Sequence, residues 1–348
     1  MKHTPLRNAL LLACGIVLLF LILWETYLRS TGIGIAYDDG PELWTHKRSL
    51  VANTQDRATV FIGSSRNKFD LDIETWRSLT GEDAIQLAFE GTSPIPILDH
   101  LANDSLFKGK LIIDVTEMLM FSSNPEDLRL AKKGIDYYEN ITPAQWFSFH
   151  VNKILESQFV FLERDYFSTK ALLKRIDIPT RAGMEKEPLF PVDFGRISFD
   201  RQNKMSNKFL KEVSIQDSVK NIWSYYSRMG AKQPPPAPKS IDSIFELIQK
   251  DVQKITARGG TVVFVRTPSS GSFLQLELQI FPREQFWNRV LDITGAPGIH
   301  FMDYPEQQLI CPEDSHLSPN DAIIYTKSLI RVLETEKGWS FPHKTKTN

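Results

Sequence analysis

Cysteine is nearly missing from this chain of 348 residues, which carries only Cys14 and Cys311. Two thiols exclude a disulfide scaffold and any zinc site built on four thiolates. A mixed cysteine and histidine site would have to recruit Cys14, which is embedded in an apolar run. An excess of positive charge is missing too: 41 Lys and Arg against 42 Asp and Glu leave a net charge of −1. Nucleic-acid binders usually show a basic footprint, and this balance argues against one. With 18 glycines and 20 prolines the chain is neither collagen-like nor of low complexity. What is present, 42% hydrophobic and 11% aromatic residues, suffices for a large core.

Long apolar runs are also scarce, with one exception. Residues 9–24 read ALLLACGIVLLFLILW without a charge, and residues 6–28 stay mostly apolar apart from Arg7, Asn8 and Glu25. Such a helix is about 34 Å long, enough for a hydrocarbon core of about 30 Å. Lys2 and Arg7 precede it, and the positive-inside rule then keeps the N-terminus cytoplasmic and sends the remainder across. Trp24 and Tyr27 stand where interfacial aromatics belong. A cleavable signal would need small residues after the run, where the chain instead reads WETYLRSTG. Leu11-Leu12-Ala13-Cys14 resembles a lipoprotein box, but the apolar run continues well past Cys14. The expectation is a single-pass, uncleaved anchor over residues 1–30. In a Gram-negative host that means an inner-membrane protein with its soluble part in the periplasm.

Residues 31–57, with Gly32, Gly34, Gly40 and Pro41, read as a connecting stretch. An α/β pattern follows. Short β-branched runs at 58–62, 83–89, 110–115, 261–265 and 299–302 have the character of buried parallel strands. Helical spacing fills 94–106, a segment from Ser240 as N-cap to a stop at Gly259-Gly260, and 319–334. Strands alternating with helices imply a parallel sheet covered on both faces. The α/β domain is assigned to 58–117 and 238–340, with 118–237 as one mostly helical inserted cap. A proline-rich strap at 233–238 closes the cap.

Ligands in open α/β sheets gather at the carboxyl ends of the strands. Three segments there hold the residue types that acyl transfer requires. Gly63-Ser64-Ser65-Arg66 follows the first strand, Glu90-Gly91-Thr92 the second, and Glu313-Asp314-Ser315-His316 precedes the last helix. In this order they resemble the SGNH (GDSL-like) hydrolase superfamily, and within it the membrane-anchored branch that acylates cell-surface polymers. The resemblance covers about 58–106, 110–117 and 260–332 and implies a three-layer fold with a parallel sheet between helices. It implies Ser65 as nucleophile, His316 as base, and the N–H groups of Ser65 and Gly91 as oxyanion donors. The acid is open between Glu313, at the family's spacing of three, and Asp314, favoured because a shorter carboxylate suits a tight loop. The family's third block normally brings an asparagine after the third strand, where this chain has Asp114-Val115-Thr116-Glu117.

The activity so implied is an esterase or O-acyltransferase acting on a cell-envelope or exported polysaccharide. No metal or cofactor is expected, and the implied company is an integral-membrane acyl donor. The alternative is a non-catalytic envelope protein that keeps the fold as a polysaccharide-binding or assembly module. Arg66 and Arg266, near strand ends, could bind an anionic or sugar group, or simply form surface ion pairs. Asp114 and Glu117 read as caps rather than a carboxylate pair, and His3, His46, His100, His150, His300 and His343 as structural.

Overall fold

A computed structural model describes residues 4–54, 58–176, 179, 181, 183, 186–232 and 238–342. His3, His343, Lys2, the end of the connecting stretch at 55–57 and the strap at 233–237 lie outside the described residues. The chain divides into two compact units, one of residues 1–38 with 143–186 and one of 39–142 with 187–348.

The larger unit is an α/β body. Strands β1 (Ala58–Ile62), β2 (Asp83–Gln86) and β3 (Lys110–Asp114) precede a two-stranded antiparallel hairpin, β4 (Gly195–Ile197) and β5 (Asn203–Met205). Strands β6 (Thr261–Arg266) and β7 (Gly298–His300) complete a five-stranded parallel sheet of order β2-β1-β3-β6-β7. Period-two alternation divides the strand side chains between two cores. Val60, Ile62, Leu111, Ile113, Val262 and Phe264 face one side with Trp44, Leu98 and Ile248. Phe61, Ile112, Val263 and Val265 face the other with Trp76, Tyr325 and Leu329. Helices Pro41–Thr54, Ile95–Asn103 and Pro238–Ala257 therefore cover one face, and Ile73–Thr80 and Pro319–Glu336 the other. Burial on both faces explains why the strands read as unbroken apolar runs.

Several boundaries differ from the sequence expectation. The stretch expected as a connector contains the helix Pro41–Thr54, whose Trp44 and Arg48 are fully buried. Its Gly signals mark only the approach to the helix, and Pro41 is the helix's first residue. The helix expected to begin at Ser240 begins at Pro238, since proline is well suited to the first turn. β7 stops at His300, and a 3-10 turn takes Phe301–Asp303. The 118–237 stretch is not one body: 143–186 groups with the N-terminal helix, whereas 118–142 and 187–232 group with the sheet. Within the larger unit a third small core joins Phe69, Met205, Phe209 and Val219. It packs the hairpin and the helices Asn207–Lys211 and Val213–Ala231 against the segment that follows β1.

The smaller unit contains the helix Thr4–Ser30, within which Pro5–Ser30 is long and apolar enough to cross a membrane and is mostly exposed, with Leu28 buried near its end. Helices Pro143–Glu156, Arg164–Phe167 and Thr169–Lys174 accompany it.

Candidate active site

The order of the sheet places its switch point between β1 and β3, where successive crossovers leave in opposite directions and a crevice opens at the carboxyl ends. The chain leaves β1 through Gly63, where a Cβ would lie 2.6 Å from the Cβ of Asp114 on β3. Only glycine fits this approach. Ser64 then caps the helix Ser65–Asp70, accepting from the Arg66 amide and sharing a 2.7 Å hydrogen bond with the Thr116 hydroxyl. With Ser64 so engaged, the next residue is left to face the crevice.

Ser65 Oγ lies 2.9 Å from His316 Nε2. The imidazole is 1% exposed, and its Nδ1 lies 2.8 Å from Glu313 Oε1. A carboxylate only accepts, so Nδ1 carries the proton and Nε2 is the acceptor for the serine hydroxyl. The Glu313 Oε1 atom also accepts from the His316 amide at 2.7 Å, which closes the loop on itself. Its other oxygen accepts from the indole Nε1 of Trp223 at 2.5 Å. Phe69, Phe194 and Trp223 surround the ring, with centroids at 4.5, 5.8 and 5.9 Å.

The carboxylate at the ring is thus Glu313, not the favoured Asp314. Asp314 has a left-handed backbone (φ 75°), and its carboxylate instead faces the Ser272 hydroxyl at 3.3 Å and Lys220 at 3.8 Å. A spacing of three lets the longer Glu side chain curl back to Nδ1, which outweighs the argument from side-chain length.

Gly91 lies in the exposed turn beyond β2, at φ 56°. Its neighbour Glu90 accepts from Lys68 at 2.8 Å and Asn203 at 2.9 Å, and Lys68 belongs to the helix that begins with Ser65. Among the described residues, neither the Ser65 nor the Gly91 amide is spent on a backbone hydrogen bond.

Arg66 and Arg266 are drawn into buried ion pairs rather than surface ones. Both are buried, and both converge on Glu277, whose two oxygens they engage at 2.7 Å each. Arg266 also pairs with Glu117 at 2.9 Å, and Ser269 donates to Glu277 at 2.7 Å. A buried guanidinium needs partners, and the carboxylates supply them. Asp114 and Glu117 form no pair with each other. Asp114 accepts from Thr267 at 3.0 Å and Thr116 at 3.1 Å, and burial raises its carboxyl pKa against the pull of Arg66 and Arg266.

Asp70, at the end of the Ser65 helix, accepts from the Leu317 amide at 2.8 Å and so holds the histidine loop to the serine helix. Burial pushes its carboxyl well above the usual range, the Leu317 bond opposes this, and the nearby Asp114 and Glu313 reinforce it. His300 is a poor base: burial and the charges of Arg266 and Arg283 bring it down to about 3. Among the described residues no group of three or more His, Cys, Asp or Glu side chains could hold a metal ion.

Trp223 was beyond sequence reasoning, since a tryptophan 90 residues before its carboxylate partner carries no local signature. Asp70 could have been suspected only as an acid within an otherwise buried short helix. No model of a known protein family matches the chain, and no curated protein matches it.

Proposed function

We propose that this protein is a membrane-anchored, SGNH-like serine esterase or O-acyltransferase that acts on a cell-envelope or exported polysaccharide through an acyl-serine intermediate. In this reading Thr4–Ser30 crosses the inner membrane once and the α/β unit lies in the periplasm. The observation that carries the chemistry is the continuous chain from Ser65 Oγ through the His316 ring to Glu313, with contacts of 2.9 and 2.8 Å.

The steps follow from these atoms. His316 Nε2 takes the Ser65 proton as Oγ attacks an ester carbonyl. Glu313 holds the imidazole in the required tautomer and stabilises the imidazolium. The developing oxyanion is assigned to the free amides of Ser65 and Gly91. The alkoxide leaving group collects the proton from Nε2, which leaves an acyl-Ser65. Water then completes hydrolysis, or a sugar hydroxyl completes transfer, with His316 again acting as base. At the position after β3, Thr116 spends its hydroxyl on Ser64 and Asp114, so it supplies no substitute for the family's asparagine. One missing oxyanion donor costs about 10²- to 10³-fold in rate, which suits a slow enzyme.

The test is covalent capture. A serine-directed fluorophosphonate should label the full-length protein and fail to label Ser65→Ala and His316→Ala variants that retain the native circular dichroism spectrum. Absence of labelling in the folded wild type would favour a non-catalytic binding module instead.

A further inference from the structure

We infer that residues 143–176 form a platform lying in the headgroup layer of the bilayer that Thr4–Ser30 crosses, an inference that rests on the anchor reading above. The helix Pro143–Glu156 has apolar residues at 146, 147, 151, 154 and 155, three- and four-residue steps that put them on one face. That face is bare: Phe147 is 65% and Ile154 61% exposed, and Trp146, Val151 and Leu155 are exposed with them. Farther on, Phe159, Leu172, Leu173 and Ile176 are exposed as well. A water-facing unit rarely leaves so many large apolar side chains together.

The anchor helix indicates what covers them. Glu25 accepts from the amides of Val160 at 2.9 Å and Phe161 at 3.2 Å, and Arg29 donates to the Gln158 carbonyl at 2.8 Å. Trp24 meets Phe167 edge-on at 6.4 Å. Glu25 and Arg29 are where the apolar run gives way to charge, beside Trp24 and Tyr27, so they mark the level at which a spanning helix meets water. Residues 158–167 are therefore bound to the membrane boundary by the protein's own hydrogen bonds. Chain on either side of this tether has a surface at hand that accepts exposed aromatic and aliphatic side chains. Its charge suits the same surface, with Lys153, Arg164, Lys170, Lys174 and Arg175 against Glu156, Glu163 and Asp165. Interfacial helices combine these features, an aromatic and aliphatic face with basic residues beside it.

The experiment uses the full-length chain in vesicles of phosphatidylcholine with phosphatidylglycerol, in a Cys14→Ala background. An environment-sensitive fluorophore is attached at Phe147→Cys, Leu173→Cys or Leu18→Cys, with nitroxide lipids labelled at the headgroup or deep in the acyl chain. Headgroup nitroxide should cut emission at 147 and 173 by about half or more, and deep nitroxide should do so at 18. Quenching at 18 without quenching at 147 and 173 would overturn the platform while leaving the anchor in place. Blue-shifted but unquenched emission at 147 and 173 would overturn it in favour of a protein surface, a second copy included. Absence of quenching at all three positions would remove the anchor and the platform together.

Discussion

Ser65 and Arg66 are chain neighbours, yet they belong to two polar clusters of opposite design. Arg66 enters a closed network in which two guanidinium groups and two carboxylates, Glu277 and Glu117, neutralise one another out of contact with water. Ser65 ends an open chain: Glu313 and His316 are sealed, but the final hydroxyl is only half-buried. The closed cluster spends its charges on one another, although one buried guanidinium nitrogen of Arg66, Nη1, has no hydrogen-bond partner among the described residues. The open one holds an imidazole between a carboxylate and a half-buried hydroxyl, the arrangement that the proposed nucleophile requires. Burial and charge alone would have ranked the two clusters together; the free end separates them.

That contrast can be broken by exchanging the effects of mutations in the two clusters. The largest effect is expected from Glu313→Gln, which keeps the shape but permits the wrong histidine tautomer. Ester turnover should fall by about 10⁴-fold with little change in melting temperature, whereas Asp314→Asn should leave turnover nearly intact. Equal losses in the two variants would mean that the carboxylate at the ring has been misidentified. Next comes Glu277→Ala in the closed cluster, which strands Arg66 and Arg266 without their shared carboxylate. Chemical denaturation should show about 3–5 kcal/mol of lost stability, with turnover per folded molecule retained. A stable but inactive variant would assign this cluster to the chemistry.

The smallest effect sharpens the boundary between the clusters and appears only as a pH dependence. Folding holds the proton on Asp70 above the pH at which the unfolded chain releases it. The unfolded state then binds fewer protons, so this group lowers stability as pH rises above about 4. Asp70→Asn still accepts the Leu317 amide and removes the titration. Its stability relative to wild type should therefore increase between pH 4 and 7 in urea unfolding. A difference independent of pH would show that the buried carboxyl is already ionised.

Much of this architecture is legible in the chain. The parallel strands announce themselves because both faces of the sheet are covered, which removes polar residues from Val60-Phe61-Ile62 and Leu111-Ile112-Ile113. Ser65 and His316 can be proposed together because their segments, at a strand end and ahead of a helix, resemble the SGNH motifs in type and order. Their partners are less legible. The choice of Glu313 depends on the backbone sign at Asp314, a property of the folded loop. The burial of Arg66 and Arg266 depends on Glu277, in a helix whose sequence gives no hint of shared partners. The helix Pro41–Thr54 is obscured by glycines just before it and a proline at its first position, and its buried Trp44 and Arg48 find hydrogen-bond partners on distant elements, at Leu87 and Asp104. Local punctuation is written in the sequence, whereas partner choice across tens of residues is decided by packing.

The most direct measurement is the site of fluorophosphonate attachment, read by peptide mass spectrometry on the full-length protein. The adduct is expected on Ser65, with the neighbouring Ser64 unmodified because its hydroxyl is held by Thr116. An adduct on another serine, or labelling that persists undiminished in Ser65→Ala, would contradict the proposal that His316 and Glu313 activate Ser65.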